Sequence, residues 1–513
     1  MKSISKVFVV AAVQTLSALA WADVTLPKLF TDHMVLQREA KLPVWGNADA
    51  GEQVTVTLAG QSRSTAADDN GKWRVVFEPV VTTDALTMTV AGKNTITITD
   101  IVMGEVWVCS GQSNMEWRLD NSNDAATEVP AALWPRIRFF NVSAKKKPAR
   151  EPAADVDAAW QICTPETAKG FSAVGYFFGR HLHREWQNVP IGLINVSCGG
   201  MPAEAFADME TLRSDDAFAD IIERFANAVT MYPQTFAEYE KKLTAWEEAR
   251  KIAEAKGEKA PNRPGVPYGP DSPNAPAALW NGMIHPIIPY AMRGAIWYQG
   301  ESNAGDAARA KQYRKLLPAM IGNWRKAWGQ GDFPFLIVQL ANWREPATQP
   351  AEPDSAWALL REAQTLTTET VPNTAQAVII DIGDAQDIHP RNKQDVGKRL
   401  ALAAEKLAYG RDVVFSGPAY QSMRVEGNKA VLSFDHIGAG LVAKGENLEG
   451  FAIAGNDGVW HVGDAIIEGI TIVVSNTNVA SPKAVRYAWA NNPRATLYNK
   501  NGLPAVPFRT DRD

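Results

Sequence analysis

Apolar and polar residues alternate over short runs near both ends of the chain. Residues 23–100 contain the runs LPVWG, QVTVTLAG, KWRVVFEP, ALTMTV and NTITITDIVMG, separated by turn residues. Residues 411–513 contain AVLSF, GLVAK, FAIAG, GITIVVS and AVRYAWA. A period of two is typical of β-strands that bury one face. We therefore predict an N-terminal β-sandwich over 23–100 and a C-terminal β-rich domain over 411–513.

Residues 101–410 have a different pattern, in which apolar strands alternate with amphipathic helices. Strands are predicted at 105–109, 137–142, 189–196, 295–298, 335–340 and 377–380. Helices are predicted at 173–185, 313–328, 357–367 and 393–408. Such alternation predicts an α/β domain with a mostly parallel sheet. A helical, charge-mixed insertion at about 215–277 interrupts it, with helices expected at 220–228 and 236–256 before a Pro-rich loop at 262–277.

The first 22 residues have the pattern of a secretory signal peptide. Lys2 and Lys6 precede a mostly apolar run over 7–20, and Ala20-Trp21-Ala22 forms a cleavage signal. The apolar run is too short to span a membrane, and no later stretch is apolar enough. We expect an exported protein, periplasmic or secreted, with no membrane partner.

Composition narrows the classes of partner and cofactor. The formal net charge of −5 over 513 residues argues against nucleic acid as the main partner. Three cysteines cannot build a disulfide framework, although one pair could form in an oxidising compartment. The chain has no CxxC and no HExxH, so we predict no metal site. The oligomeric state stays open.

Four segments of the α/β region end in polar or glycine residues. The carboxyl ends of parallel strands meet at one edge of a sheet, where ligands bind. Ser113 lies in the polar turn after the strand at 105–109, although serine is also a common helix N-cap. The other three segments bring to this edge Gly199 and Gly200, Gln299 and Asn303, and Asp387 and His389.

These residue types are the ones that a serine hydrolase requires. A serine hydroxyl needs an imidazole base, and the imidazole needs an acceptor on its other nitrogen. His389 lies two residues after Asp387, and Asp384 is a second candidate for the acid. The oxyanion needs N–H donors from backbone or side-chain amides. The chain has no G-x-S-x-G, so the turn of an α/β-hydrolase is not supported.

Four motifs, taken together, resemble the sialate O-acetylesterase family, a branch of the SGNH hydrolases. They are GQSNMEW at 111–117, GG at 199–200, WYQGESN at 297–303 and DIHPRNKQDVGKRLA at 387–401. The framework sequences LPKLFTDHMVLQRE at 26–39 and NGMIHP at 281–286 resemble the family as well. The resemblance implies an SGNH-type, flavodoxin-like three-layer core that hydrolyses acetyl esters of a carbohydrate without metal or cofactor.

The resemblance also implies roles for the residues that match its motifs. Ser113 becomes the nucleophile and His389 the general base. The oxyanion donors would be backbone N–H groups at Gly199 and Gly200 and the side chain of Gln299, with Asn303 next. SGNH enzymes commonly place the acid three residues before the histidine, where this chain has Gln386. The acid is therefore Asp387 or Asp384, or it is absent.

Several residues beside these motifs are candidates for substrate binding. They are Gln112, Asn114, Trp117, Glu301 and Arg391, together with Trp343 and Arg325. Core packing is the alternative for the tryptophans, a helix-end ion pair is the alternative for the arginines, and an orienting hydrogen-bond acceptor is the alternative for Glu301. The expected partner is an O-acetylated carbohydrate, either sialic acid or a hemicellulose such as xylan or xyloglucan. A non-catalytic glycan-binding protein and an acetyltransferase are the alternative functions.

Overall fold

The computed structural model describes residues 23–187, 189–349, 351–352 and 355–512. The predicted signal peptide, residues 1–22, lies outside these ranges. No helix within them is long and apolar enough to cross a membrane.

The N-terminal region consists of short strands that bury alternate residues. They are Val35–Gln37 (β1), Leu42–Asn47 (β2), Gln53–Leu58 (β3), Gln61–Ala66 (β4), Lys72–Phe77 (β5), Leu86–Ala91 (β6) and Thr95–Gly111 (β7). β4, β3, β6 and the first part of β7 form an antiparallel sheet, and β2 pairs with β5. The sequence pattern did not predict β4, because its sequence, QSRSTA, is polar and none of its residues is buried.

The central sheet contains β7 and six further strands. They are Trp134–Asn141 (β8), Trp160–Cys163 (β9), Ile191–Asn195 (β10), Gly294–Tyr298 (β11), Phe335–Val338 (β12) and Thr374–Ala377 (β13). The strand order is β13-β12-β11-β7-β10-β8-β9. Neighbouring strands are parallel except for β8 and β9. The prediction of a mostly parallel sheet is confirmed.

Helices cover both faces of this sheet. They are Ser113–Glu116 (α1), Ala125–Glu128 (α2), Pro165–Lys169 (α3), Ala173–Glu185 (α4), Met209–Arg213 (α5), Ala219–Lys256 (α6), Ala307–Trp328 (α7), Ala356–Thr370 (α8) and Lys393–Leu407 (α9). Residues of α4 and α9 share one apolar core with Trp107 and Cys109 of β7. Residues of α7 and α8 share the other core with Val106 and Val108. Successive β7 residues thus face opposite layers, and the domain has three layers.

β7 is one 17-residue strand that runs through the predicted boundary at residue 100. Its first part pairs with β6, and its last part lies between β10 and β11. Gly111, the last residue of β7, therefore lies at the carboxyl edge of the central sheet, and the candidate nucleophile follows two residues later.

Two of the predicted elements have other bounds in the structure. α6 is a single helix through Pro233, where we expected two helices. The helix continues although a proline removes one backbone hydrogen bond. β13 ends at Ala377, before most of the strand predicted at 377–380. Val378 and Ile380 are instead buried in the core of the C-terminal region.

The C-terminal region is antiparallel throughout. Its strands are Ala419–Glu426 (β14), Lys429–Asp435 (β15), Leu441–Ala443 (β16), Phe451–Ala454 (β17), Trp460–Val462 (β18), Asp464–Glu468 (β19), Thr471–Ser475 (β20), Ala484–Tyr487 (β21), Leu497–Asn499 (β22) and Phe508–Arg509 (β23). They form sheets in the orders β14-β15-β20-β19 and β18-β17-β21-β23, and β16 pairs with β22. Arg509 joins this region to α8, because its Nε donates to the buried carboxylate of Glu362 at 2.8 Å.

Candidate active site

Ser113 lies where β7 turns sharply into α1. Gly111 has φ +134, and a Cβ on it would lie 2.1 Å from the carbonyl oxygen of Tyr298, so only glycine fits. The next backbone N–H, that of Gln112, donates to the same oxygen at 2.9 Å. α1 begins at Ser113 itself, and the serine is half-buried at the edge of the sheet.

His389 lies directly beside Ser113, although 276 residues separate them. Its Nε2 is 2.8 Å from Ser113 Oγ, and its Nδ1 is 3.1 Å from Asp387 Oδ1. The backbone N–H of His389 donates to the same carboxylate oxygen at 2.9 Å. The exposed fraction is 27% for the imidazole and 42% for the carboxylate. This arrangement can move a proton from the hydroxyl to the imidazole while the carboxylate holds the ring.

Asp384 and Gln386 do not hydrogen-bond to the imidazole. Asp384 Oδ1 accepts the backbone N–H of Gln386 at 2.8 Å and that of Asp387 at 3.3 Å, which forms a turn. Gln386 Nε2 donates to Glu345 at 2.8 Å. Of the two candidate acids, only Asp387 contacts the ring of His389.

Trp117 packs on the imidazole instead of standing open to a sugar. The rings of Trp117 and His389 are stacked, with centroids 5.1 Å apart and planes 16° apart. Trp343, the other candidate platform, contacts the ring of Trp357 and the guanidinium of Arg344. Both indoles are half-buried, and Trp117 restricts the orientation of His389.

Gly199 and Gly200 differ in how their N–H groups are used. A Cβ on Gly199 would lie 3.3 Å from Ser113 Cβ, so this backbone touches the candidate nucleophile. Its N–H donates to Glu116 at 2.7 Å, and the other oxygen of Glu116 accepts Lys146 Nζ at 2.6 Å. The Gly200 N–H donates to no residue that the structure describes, and Gly200 is exposed with φ +75.

The amides of Gln299 and Asn303 are engaged inside the protein. Gln299 Nε2 donates to Asn303 Oδ1 at 2.6 Å and to Met201 O at 3.3 Å, and its oxygen accepts Tyr313 Oη. Asn303 Nδ2 donates to the buried Glu204 at 2.9 Å. Both residues are buried, and neither hydrogen-bonds to Ser113 or His389. Both amides therefore bond to protein atoms in this structure, and their role as oxyanion donors stays a prediction.

Gln112, Asn114 and Glu301 likewise bond to protein atoms. Gln112 Oε1 accepts the backbone N–H of Ser302 at 3.2 Å. Asn114 Nδ2 donates to Glu301 Oε1 at 2.5 Å and to Ile388 O at 3.0 Å. Gln112 and Asn114 are buried, and their contact with substrate stays a prediction. Burial also raises the pKa of Glu301, against the hydrogen bond from Asn114.

The two candidate arginines lie in different surroundings. Arg325 is buried and its Nη2 donates to the carbonyls of Phe333 and Pro372, both at 2.8 Å, so it holds loops together. The Arg391 side chain is exposed two residues after His389. Among the predicted substrate-binding residues, Arg391 is the one that the structure leaves exposed to solvent.

Lys393 and Glu116 belong to the site but were not predicted. Lys393 is fully buried, and its Nζ donates to Asn114 Oδ1 at 2.6 Å. Burial lowers the pKa of Lys393 to about 7, while the carboxylates of Glu301 and Asp387 oppose the shift. Lysine is almost never fully buried, so a lysine at the start of an amphipathic helix carried no signal of this position.

The three cysteines, Cys109, Cys163 and Cys198, are free and buried. Burial raises the pKa of Cys198 to about 11, which disfavours its thiolate. Among the described residues, no group of three or more His, Cys, Asp or Glu side chains could hold a metal ion.

Comparison with known proteins places this chain among carbohydrate esterases. Residues 103–238 and 278–406 match the family model described as carbohydrate esterase, sialic acid-specific acetylesterase. The chain is 29% identical to the sialate O-acetylesterase of Pongo abelii, over 97% of this chain and 96% of the relative, and 28% identical to that of Homo sapiens, over 96% and 95%. A crystal structure of a carbohydrate acetylesterase from Xanthomonas citri superposes with a TM-score of 0.80 at 36% identity, over 96% of this chain and 100% of that one.

Proposed function

The chain belongs to the sialic acid-specific acetylesterase family of carbohydrate esterases and is a carboxylic ester hydrolase, and we propose that it removes O-acetyl groups from a carbohydrate through an acyl-enzyme on Ser113. The observation that carries this proposal is the 2.8 Å contact between Ser113 Oγ and His389 Nε2. We also propose that the core is of the SGNH type.

In the proposed reaction, Ser113 Oγ attacks the acetyl carbonyl while its proton passes to His389 Nε2. The tetrahedral intermediate collapses, and the sugar oxygen leaves with the proton from His389. A water molecule then attacks the acetyl-serine as His389 takes its proton, and the second collapse returns that proton to Ser113 Oγ and releases acetate. The carboxylate of Asp387 stabilises the imidazolium that forms twice in this cycle.

Gly200 is the proposed backbone donor to the oxyanion. Its N–H donates to no described residue, and it follows a residue that touches Ser113. The N–H of Gly199 is held by Glu116, so it can contribute only after that carboxylate moves. An oxyanion needs donors that point at it before the reaction begins.

The substrate is proposed to be a glycan with acetylated hydroxyl groups. This rests on the family description and on the carbohydrate acetylesterase from Xanthomonas citri. A sialic acid carries a carboxylate, for which the exposed Arg391 is a candidate partner. Acetylated xylan and xyloglucan are neutral and need no such cation. Export, with a mature chain that begins near Asp23, is part of the proposal.

The test compares Ser113→Ala and His389→Ala with the parent on p-nitrophenyl acetate. Ser302→Ala is the matched control, because the Ser302 hydroxyl is nearby but hydrogen-bonds to no described residue. We expect both catalytic variants to lose at least ~10³-fold in kcat and the control to keep the parent rate. A Ser113→Ala protein as fast as the parent would rule out the acyl-enzyme.

The glycan and the reaction class are tested by acetate release. The panel contains 9-O-acetyl sialic acid, acetylated xylan and acetylated xyloglucan, each in water without an added acceptor. Release from the first alone supports a sialate esterase, and release from the others supports a hemicellulose esterase. Release that requires an added sugar would support the acetyltransferase alternative instead.

A further inference from the structure

Three polar side chains, linked by hydrogen bonds, lie next to the candidate catalytic residues. Glu301 Oε1 accepts Asn114 Nδ2 at 2.5 Å, and Asn114 Oδ1 accepts Lys393 Nζ at 2.6 Å. The two ends are a buried carboxyl group and a buried lysine amine from distant parts of the sequence. The second carboxylate oxygen of Glu301 is enclosed and has no hydrogen-bond partner among the described residues. Burying an ionisable side chain away from water costs free energy. Glu301 and Lys393 are nevertheless both buried next to the candidate site.

Asn114 links the two catalytic segments. It follows Ser113 in α1, and its Nδ2 also donates to the carbonyl of Ile388, the residue before His389, at 3.0 Å. An asparagine amide can make this contact in one orientation only, with its oxygen on the opposite side. Lys393 supplies the donor for that oxygen, and Glu301 supplies a second acceptor for the nitrogen. The hydrogen bonds of Lys393 and Glu301 therefore determine which way the Asn114 amide points.

We propose that Lys393 is a positioning residue for the esterase reaction, acting through Asn114 on the backbone that carries His389. The inference rests on the proposed roles of Ser113 and His389. With Lys393 in place, the amide of Asn114 keeps Ile388 and hence His389 against Ser113. Without it, Asn114 Oδ1 is left unpaired in a buried site and the amide is free to turn.

Lys393 also lies close to the aromatic rings beside the imidazole. Its Nζ lies 5.8 Å from the centre of the Trp117 indole, which stacks on His389, and 5.1 Å from the ring of Tyr298. The charged groups that face it are the carboxylates of Glu301 and Asp387. Burial lowers the pKa of Lys393 to about 7, so its charge changes close to neutral pH.

The test uses the full mature chain with Lys393→Met, which keeps the length of the side chain and removes its charge. Lys398→Met is the matched control, because Lys398 lies on the same helix and is exposed. With p-nitrophenyl acetate, we expect kcat of Lys393→Met to fall roughly 10- to 100-fold with KM within about twofold. Its pH–rate profile should differ from that of the parent near pH 7, where Lys393 gains or loses its proton and the methionine does not. The control should match the parent in all three.

A double-variant cycle tests the route through Asn114. If Lys393 acts through Asn114, the Asn114→Ala/Lys393→Met protein loses little more kcat than the worse single variant. Fully multiplicative losses would overturn that route. Should Lys393→Met fail to fold, as judged by its thermal melt, the same kinetic measurements on Asn114→Ala decide the matter, since a parent-like kcat and pH profile there would also overturn it.

Two combinations of variants separate the positioning role of Lys393 from the proposed function. A folded Lys393→Met protein with the parent kcat and pH profile, together with an inactive Ser113→Ala protein, overturns the positioning role alone. A Ser113→Ala protein with parent activity overturns the acyl-enzyme, and the positioning role falls with it.

Discussion

The carboxylate of Asp387 offers the sharpest test of the candidate site, because the sequence left the identity of the acid open. Asp387→Asn keeps the shape of the side chain and removes its charge. Asp387 Oδ1 is 3.1 Å from His389 Nδ1, and the side chain is 42% exposed. Two charges about 4 Å apart interact by about 1 kcal/mol in water and about 4 kcal/mol near a protein surface. For this half-exposed carboxylate we take about 2–3 kcal/mol, between the two limits.

This magnitude predicts the size of the kinetic effect. A loss of about 2–3 kcal/mol in transition-state stabilisation lowers kcat roughly 30- to 150-fold. That is less than the ~10⁴-fold loss known for an enzyme whose triad acid is fully buried. The assay is kcat on p-nitrophenyl acetate at a pH above the acid limb of the parent. Asp384→Asn is the control, because Asp384 accepts only backbone N–H groups in the same loop, and we expect it to stay within about threefold of the parent.

Three results would contradict this reasoning. Asp387→Asn with the parent kcat would show that Ser113 and His389 work as a dyad. A larger loss for Asp384→Asn than for Asp387→Asn would show that the acid has been assigned to the wrong residue. A loss of 10⁴-fold or more would mean that the carboxylate is screened far less than its exposure indicates.

Three further predictions concern stability and the oxyanion region. Glu105→Ala should lower the free energy of unfolding by about 3–5 kcal/mol, because it leaves Arg38 and Arg293 without the buried carboxylate they share. Urea unfolding measures this difference, and a change under 1 kcal/mol would contradict the prediction. Burial holds the pKa of Lys393 near 7, below the unfolded value of about 10.4, so unfolding takes up a proton between these values and stability rises with pH. From pH 7 to 9.5 the parent should gain up to about 3 kcal/mol relative to Lys393→Met, and equal urea midpoints at both pH values would argue against it. Gly199→Ala should lower kcat roughly tenfold or more at little cost in thermal stability, since its Cβ would press on Ser113; parent-like kcat would show that the backbone moves aside.

The sequence predicted the layers of the central domain well, because burial on both faces of a parallel sheet leaves a strong apolar pattern. The helix at 173–185 has the bounds of α4, and the strands that lead to Ser113 and Gly199 are where the pattern predicts them. β4 and β9 are edge strands that were not predicted, since β4 has no buried residue and β9 has only four residues. The two helices expected at 220–228 and 236–256 are one helix, which continues through Pro233 although a proline removes a backbone hydrogen bond.

Within the site, convergence of strand ends was predictable and the use of individual hydrogen bonds was not. Topology brings Ser113 and the loop that carries His389 to the same edge of the sheet. Whether an amide points at an oxyanion depends on neighbours that no pattern reveals. Gln299 was a reasonable donor by residue type, but both of its amide hydrogens are engaged by Met201 and Asn303.

Glu116 shows why the oxyanion region depends on residues outside the motifs. Its carboxylate lies on the N–H of Gly199, next to the place where a negative charge develops during attack by Ser113. Two negative charges so close repel one another, unless a cation offsets the first. Lys146 provides that cation at 2.6 Å from a polar loop that carries no recognisable pattern. The Glu116–Lys146 pair therefore engages the Gly199 N–H, and this is why we propose the Gly200 N–H as the oxyanion donor.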